Sequence, residues 1–70
     1  MILPIANTER DYVIIEVAGT DKLRQYLASL GIIKGKSLRI MSQGKTGTII
    51  LVNETRLALN YDIAKLITIA

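Results

Sequence analysis

The stretch that decides the fold runs from Thr20 to Gly35 and reads TDKLRQYLASLGIIKG. Thr20 or Asp21 can accept a hydrogen bond from the free amides of a first helical turn, and Gly31 can adopt the left-handed conformation that ends a helix. Between them, three leucines recur at the i, i+4 and i+7 spacing of one apolar helix face: Leu23, Leu27 and Leu30. The stretch therefore predicts one short α-helix, and we expect Tyr26, at the edge of the stripe, to be packed.

Short strand-like runs surround this helix. A β-branched and aromatic run (12–17) precedes it, and an alternating run (37–42) follows, with Leu38 and Ile40 facing inward. Two further aliphatic runs (48–52 and 56–59) flank Asn53-Glu54-Thr55, which predicts a tight hairpin. A single helical turn (61–65) comes before a last short strand (66–69).

The order of these elements predicts a mainly β fold. We expect a small, partly open SH3-like barrel of about five strands, with one short α-helix after the first strand, formed by residues 1–70 as a single domain. Five short strands with one apolar face curl on themselves to reduce exposed edges, and the helix covers an open end. A two-sheet sandwich would need roughly 100 residues.

Composition predicts a binding partner, a self-association surface that would form a homo-oligomer, or both. Half of the 70 residues are hydrophobic and mean hydropathy is +0.36, which is more apolar surface than so short a chain can bury. The net charge of +3 is dispersed along the chain, which argues against a nucleic-acid partner. The longest aliphatic run (49–52) is far short of the about 20 residues that cross a bilayer, and the start of the chain lacks a secretion signal. We therefore expect a soluble, cytoplasmic protein.

The residues that usually carry catalysis are missing. The chain has no histidine and no cysteine, and its six carboxylates are scattered, so we expect no metal site and no cofactor. Nucleophilic catalysis would need a base beside a serine or threonine. The glycine-containing loop at 44–47 lacks the full spacing of a phosphate-binding loop and predicts a hairpin connection instead. The sequence thus predicts a protein that is not an enzyme.

Two motifs carry a resemblance to a known family. The first is the helix that ends in Leu30-Gly31-Ile32 and is followed by Gly35, and the second is Leu57-Ala58-Leu59 leading into Ile63-Ala64. In this order and spacing the chain resembles the FeoA family over roughly residues 3–70. It departs from the family at Glu54, where relatives often have glycine.

The resemblance implies a role rather than a reaction. FeoA proteins are small cytosolic SH3-like proteins of bacterial ferrous iron transport and iron homeostasis. The implied partner is a FeoB-like membrane permease with a cytosolic GTPase domain, so that any membrane association would be indirect. The same fold forms the C-terminal domain of DtxR-type metal-dependent repressors.

Two other functions stay open at this point. One is a nucleic-acid-binding small β-barrel, which the basic charge permits, although the only aromatic residues are Tyr12, Tyr26 and Tyr61. The other is a stand-alone DtxR-type regulator domain that forms a homo-oligomer.

Strand alternation divides inner from outer side chains. If Leu57 and Leu59 face the core, Ile50 and Val52 do so as well, and their neighbours face outward. With the turn after the helix, the outward set gives the predicted partner-binding residues: Ile33, Lys34, Lys36, Ile49, Leu51 and Ala58. An alternative is that the N-terminal segment (2–5) covers Ile49 and Leu51. The basic residues near the helix end would form a positive rim that steers an acidic partner: Lys22, Arg24, Lys34 and Lys36.

Overall fold

The computed structural model describes residues Met1 to Ala70 as one antiparallel sheet with two helices. The strands are β1 (Asp11–Val17), β2 (Ser37–Gln43), β3 (Gly47–Val52), β4 (Thr55–Asn60) and β5 (Ile67–Ile69). The helices are α1 (Asp21–Ser29) and the one-turn α2 (Tyr61–Ala64), and a 3-10 turn (Leu3–Ile5) precedes β1. The sheet order is β4-β3-β2-β1-β5, so the barrel is left partly open between its two outer strands. The mainly β prediction is confirmed.

Helix α1 begins and ends where the sequence predicts. The Oγ1 atom of Thr20 accepts a hydrogen bond from the Leu23 amide at 3.1 Å, and Gly31 follows the helix with φ of 96°. Within the leucine stripe only Leu27 is fully buried, while Leu23 and Leu30 are half-buried.

The prediction that Tyr26 is packed was wrong, because its side chain is 61% exposed. Consecutive helical residues point about 100° apart. With Leu27 directed into the core, Tyr26 is therefore turned toward solvent. The buried tyrosine is Tyr12, whose hydroxyl oxygen accepts a hydrogen bond from the Asn7 amide at 3.1 Å.

The β3–β4 hairpin has a two-residue turn. Asn53 and Glu54 have φ of 50° and 62°, the left-handed pair of a type I′ turn, and Thr55 already pairs with Val52 as the first residue of β4. The other predicted hairpin loop is also present, since the Gly44 amide donates to the Gly47 carbonyl at 2.8 Å. The tight turn fixes the register of β4 along its whole length.

The core follows the predicted alternation. Leu38, Ile40, Ile50, Val52 and Leu59 are buried, and Leu57 is half-buried. Further buried aliphatic side chains come from the other strands and from the segments around the helices: Leu3, Ile14, Leu27, Ile32, Ile67 and Ile69.

The N-terminal segment packs along β5. The Ile69 amide donates to the Met1 carbonyl at 2.7 Å, Ile2 bridges to Thr68, and Leu3 is completely buried. Ile49 is 40% exposed, so this segment does not provide the cover that the alternative prediction proposed for it.

Candidate functional site

The predicted partner-binding residues lie on two different surfaces. Ile33 and Lys34 line a groove of about 480 Å³ between β1 and α1, here named the β1–α1 groove. Its walls are formed by the end of β1, one face of α1 and the segment that follows the helix: Ile15, Glu16, Val17, Asp21, Arg24, Gln25, Ala28, Ile32, Ile33 and Lys34. Ile49 and Ala58 lie instead on the outer side of the hairpin.

The floor of the β1–α1 groove contains two exposed aliphatic side chains. Ile15 is 43% exposed and Ile33 is 38% exposed. Ile15 faces outward in the same phase as Val13, and the register shift between Ile14 and Glu16 leaves Glu16 outward as well. Strand alternation places Ile15 outward, but its position in the groove depends on where α1 packs, which the strand pattern does not reveal.

The rim of the groove carries charges of both signs. Arg24 forms an ion pair with Asp21, and Lys34 stands on the same rim as Glu16. Lys22 and Lys36 form no ion pair within 4.0 Å. The rim is therefore mixed in charge rather than uniformly basic.

A backbone clamp holds the turn that carries Lys34 and Lys36 against β1. The Gly35 amide donates to the Ile14 carbonyl at 2.8 Å, and the Ile14 amide donates to the Lys36 carbonyl at 2.8 Å. Gly35 itself has φ of 92°, a conformation that glycine adopts without strain. The position of Ile33 and Lys34 is therefore fixed by the strand rather than by their own side chains.

The second surface is the outer side of the hairpin, here named the β3–β4 face, with Ile49, Leu51, Arg56 and Ala58. Ile49 lies opposite Ala58 and Leu51 lies opposite Arg56. Ile49 and Ala58 are exposed, whereas Leu51 is half-buried. The residues that line the depression at Ile49 do not include any that line the β1–α1 groove, so the predicted residues fall on two surfaces. Lys36 lies on the turn after the groove and is not part of its lining.

A third depression was not predicted from the sequence. The α1–β4 cleft has a volume of about 220 Å³ and is almost entirely apolar. It is lined by Leu23, Tyr26, Leu27, Leu30, Leu57, Ala58, Leu59, Asn60 and Ile63. The leucines of this lining were expected to fill the core, whereas Ala58 was predicted to face outward. The structure leaves a gap between them because α1 and β4 do not close on each other.

The distribution of ligating groups offers no metal centre of the usual kind. The structure contains no cluster of three or more histidine, cysteine, aspartate or glutamate residues.

Neither helix has the length and apolar character that a membrane span requires.

Comparison with known proteins decides the family. The model of the FeoA domain matches residues 1–70. The chain belongs to the FeoA family. No curated protein matches the chain.

Solved structures of FeoA proteins have the same fold. An iron uptake regulatory protein described as FeoA superposes with a TM-score of 0.90 at 21% identity, covering 99% of this chain and 93% of that one. FeoA from Stenotrophomonas maltophilia, described as a prokaryotic SH3 domain protein in complex with zinc, gives 0.84 at 25% identity, covering 100% and 89%. The SH3-like prediction is confirmed by this similarity.

The fold also occurs within larger proteins. IdeR of T. acidophilum matches with a TM-score of 0.87 at 25% identity, covering 100% of this chain and 33% of that protein. This FeoA-family chain thus corresponds to about a third of that protein.

Proposed function

We propose that this FeoA protein is a cytoplasmic accessory factor of ferrous iron uptake, acting by contact with the cytosolic GTPase domain of a FeoB-type permease. The observation that carries the proposal is the family match over residues 1–70. The family is associated with ferrous iron transport, and the S. maltophilia relative is described as a candidate activating factor of that transport.

The surface of the molecule supports a role in binding rather than in catalysis. No side chain in the β1–α1 groove is a histidine or cysteine, and the groove combines an aliphatic floor with a charged rim. Fully burying an exposed aliphatic side chain contributes about 1.5–3 kcal/mol, and Ile15 and Ile33 each retain about two-fifths of their exposure. Contact with Ile15 and Ile33 would therefore supply about 1 kcal/mol each, a part of the free energy of a reversible complex.

A capture experiment tests this proposal. The purified GTPase domain of the permease would be presented to wild type, Ile33→Asp and Leu51→Asp, with Ile5→Asp as the matched control because Ile5 is exposed outside the groove. We expect Ile33→Asp to lower the affinity by about tenfold or more, equivalent to about 1.4 kcal/mol, and Ile5→Asp to leave it unchanged. Leu51→Asp reports separately on the β3–β4 face.

The outcomes separate the surfaces from the function. Unchanged capture by both Ile33→Asp and Leu51→Asp would discard the proposed surfaces and leave family membership intact. If wild type does not bind the GTPase domain, the proposed function fails.

The basic residues near α1 are proposed to steer the encounter. Lys22 and Lys36 are free of ion pairs, and an acidic partner would associate faster with them present. The association rate should fall as salt concentration rises. A rate that does not depend on salt would remove these lysines from the proposal.

A further inference from the structure

The outer edge of β4 carries backbone groups that no other strand uses. In a two-residue hairpin the residues that flank the turn form a hydrogen-bonded pair, here Val52 with Thr55. Hydrogen-bonded pairs alternate along an antiparallel ladder. The ladder continues past its last pair in the same phase, because the Tyr61 amide donates to the Thr46 carbonyl at 3.1 Å.

This phase directs the backbone of Arg56 and Ala58 away from β3. Both lie at the alternate positions of the ladder, opposite Leu51 and Ile49. β4 has β3 as its only neighbour in the sheet, and neither residue donates or accepts a hydrogen bond elsewhere in the chain. Two amides and two carbonyls, about 6.8 Å apart along the strand, therefore face solvent in the arrangement that an added strand would pair with.

The α1–β4 cleft lies directly beside this edge. Ala58 belongs to both the edge and the lining, and eight of the nine lining residues are hydrophobic. Its volume of about 220 Å³ is below the roughly 300–1,000 Å³ of pockets for drug-sized ligands. The cleft therefore suits one apolar side chain projecting from a strand seated on β4.

We propose that β4 is extended by a strand from a different protein, with one apolar side chain of that strand in the α1–β4 cleft and an acidic residue beside Arg56. The exposed Arg56 guanidinium takes part in no ion pair in the chain, so it can pair with an added carboxylate. This strand addition rests on the proposed function in one respect, namely that the partner is a protein.

A second copy of the chain fits the edge less well. The apolar side chains of β4 are Leu57 and Leu59, and both are already used in packing against their own core. If two β4 strands paired with each other, neither could place a large apolar side chain in the cleft of the other. The cleft therefore favours a strand from a different protein.

Proline substitution at the edge tests the proposal. Ala58→Pro removes an amide that β3 does not use, and edge strands tolerate proline at such positions. Ala58→Thr is the matched control, since it changes the same side chain and keeps the amide. Circular dichroism and thermal unfolding would verify that both variants fold.

The probe is a peptide selected from a display library of random linear peptides. Its selection requires only the purified protein and does not use the permease. Peptides selected on wild type should contain an apolar residue and an acidic residue. They should bind Ala58→Pro about tenfold or more weakly than wild type, and Ala58→Thr within about twofold.

Amide hydrogen exchange gives a readout specific for strand addition. Binding of a selected peptide should slow the exchange of the Arg56 and Ala58 amides. The amides of Leu57 and Leu59, already paired with β3, should change little.

Three results of the peptide experiments would overturn the proposal. They are a selection that yields no binder, binders that do not distinguish Ala58→Pro from Ala58→Thr, and protection located away from β4. Concentration-dependent protection of the same amides without any peptide would assign the edge to a second copy and overturn it as well. None of these results depends on the GTPase-domain capture, so failure of the proposed function is detected separately.

Discussion

The two outer strands of the sheet differ in whether another segment of the chain covers their free edge. The edge of β5 is covered by the N-terminal segment, whose Met1 carbonyl accepts a hydrogen bond from Ile69 and whose Leu3 is buried. The edge of β4 has no such cover and borders an apolar cleft. Because exposed edges invite pairing with other chains, a chain that covers one edge and leaves the other free has a preferred place for an incoming strand.

Removing the cover of the β5 edge should have the largest effect. Leu3→Ala would leave a cavity where a fully buried side chain joins the N-terminal segment to the core. We expect a loss of about 2–5 kcal/mol in the free energy of unfolding. Ile5→Ala, two residues away and 68% exposed, is the control and should change stability by less than about 0.5 kcal/mol. Urea unfolding measures both, and equal effects would show that the segment is not anchored through Leu3.

On the β4 side, stability should depend on how closely β3 and β4 approach at Gly47. A Cβ at Gly47 would lie 2.3 Å from the Leu59 carbonyl oxygen, whereas at Gly44 the nearest atom would be 3.7 Å away. We expect Gly47→Ala to lower the free energy of unfolding by about 1–3 kcal/mol and Gly44→Ala to change it much less. If the two alanine variants unfold at the same denaturant concentration, the close approach of β3 and β4 is not required.

The hydrogen bonds between β2 and the N-terminal segment should contribute less to the free energy of unfolding. The Nε2 group of Gln43 donates to the Leu3 carbonyl at 2.9 Å and to the Ala6 carbonyl at 3.1 Å. Gln43→Ala should cost about 1–2 kcal/mol and speed amide exchange at Ile69 more than at Leu57. The control is the exposed neighbour Ser42→Ala. An increase in exchange that is larger at Leu57 than at Ile69 in the Gln43 variant would contradict this account of the covered edge.

The smallest predicted effect is a gain in stability at the turn that begins β4. Glu54 has φ of 62°, a conformation that is unfavourable for a residue with a side chain. Glu54→Gly should therefore raise the free energy of unfolding by about 0.5–1 kcal/mol. Lys45→Gly, in the other hairpin loop and without a positive φ, should give no gain. Thermal unfolding of the two variants measures this difference. A lower stability of Glu54→Gly than of wild type would show that the turn is not strained.

Much of the fold could be predicted because it is encoded locally. The helix with its Thr20 cap and Gly31 stop, the strand alternation that buries Ile50 and Val52, and the hairpin at Asn53 depend on neighbours in the chain. The candidate surfaces were predicted less completely. Ile33 and Ile49 are exposed as expected. Ile15 was missed because its place in the groove depends on how α1 packs beside β1, which strand alternation does not contain.

The sequence by itself determined the elements, their order and which face of each is apolar, because these follow from residue periodicity and capping. Only the tertiary structure decided which strand edge is covered, that Tyr26 points to solvent, and that α1 stands apart from β4 to leave a cleft. Those features depend on contacts between segments far apart in the chain, such as Met1 with Ile69. The local sequence pattern of a strand or helix does not specify which distant segment will pack against it.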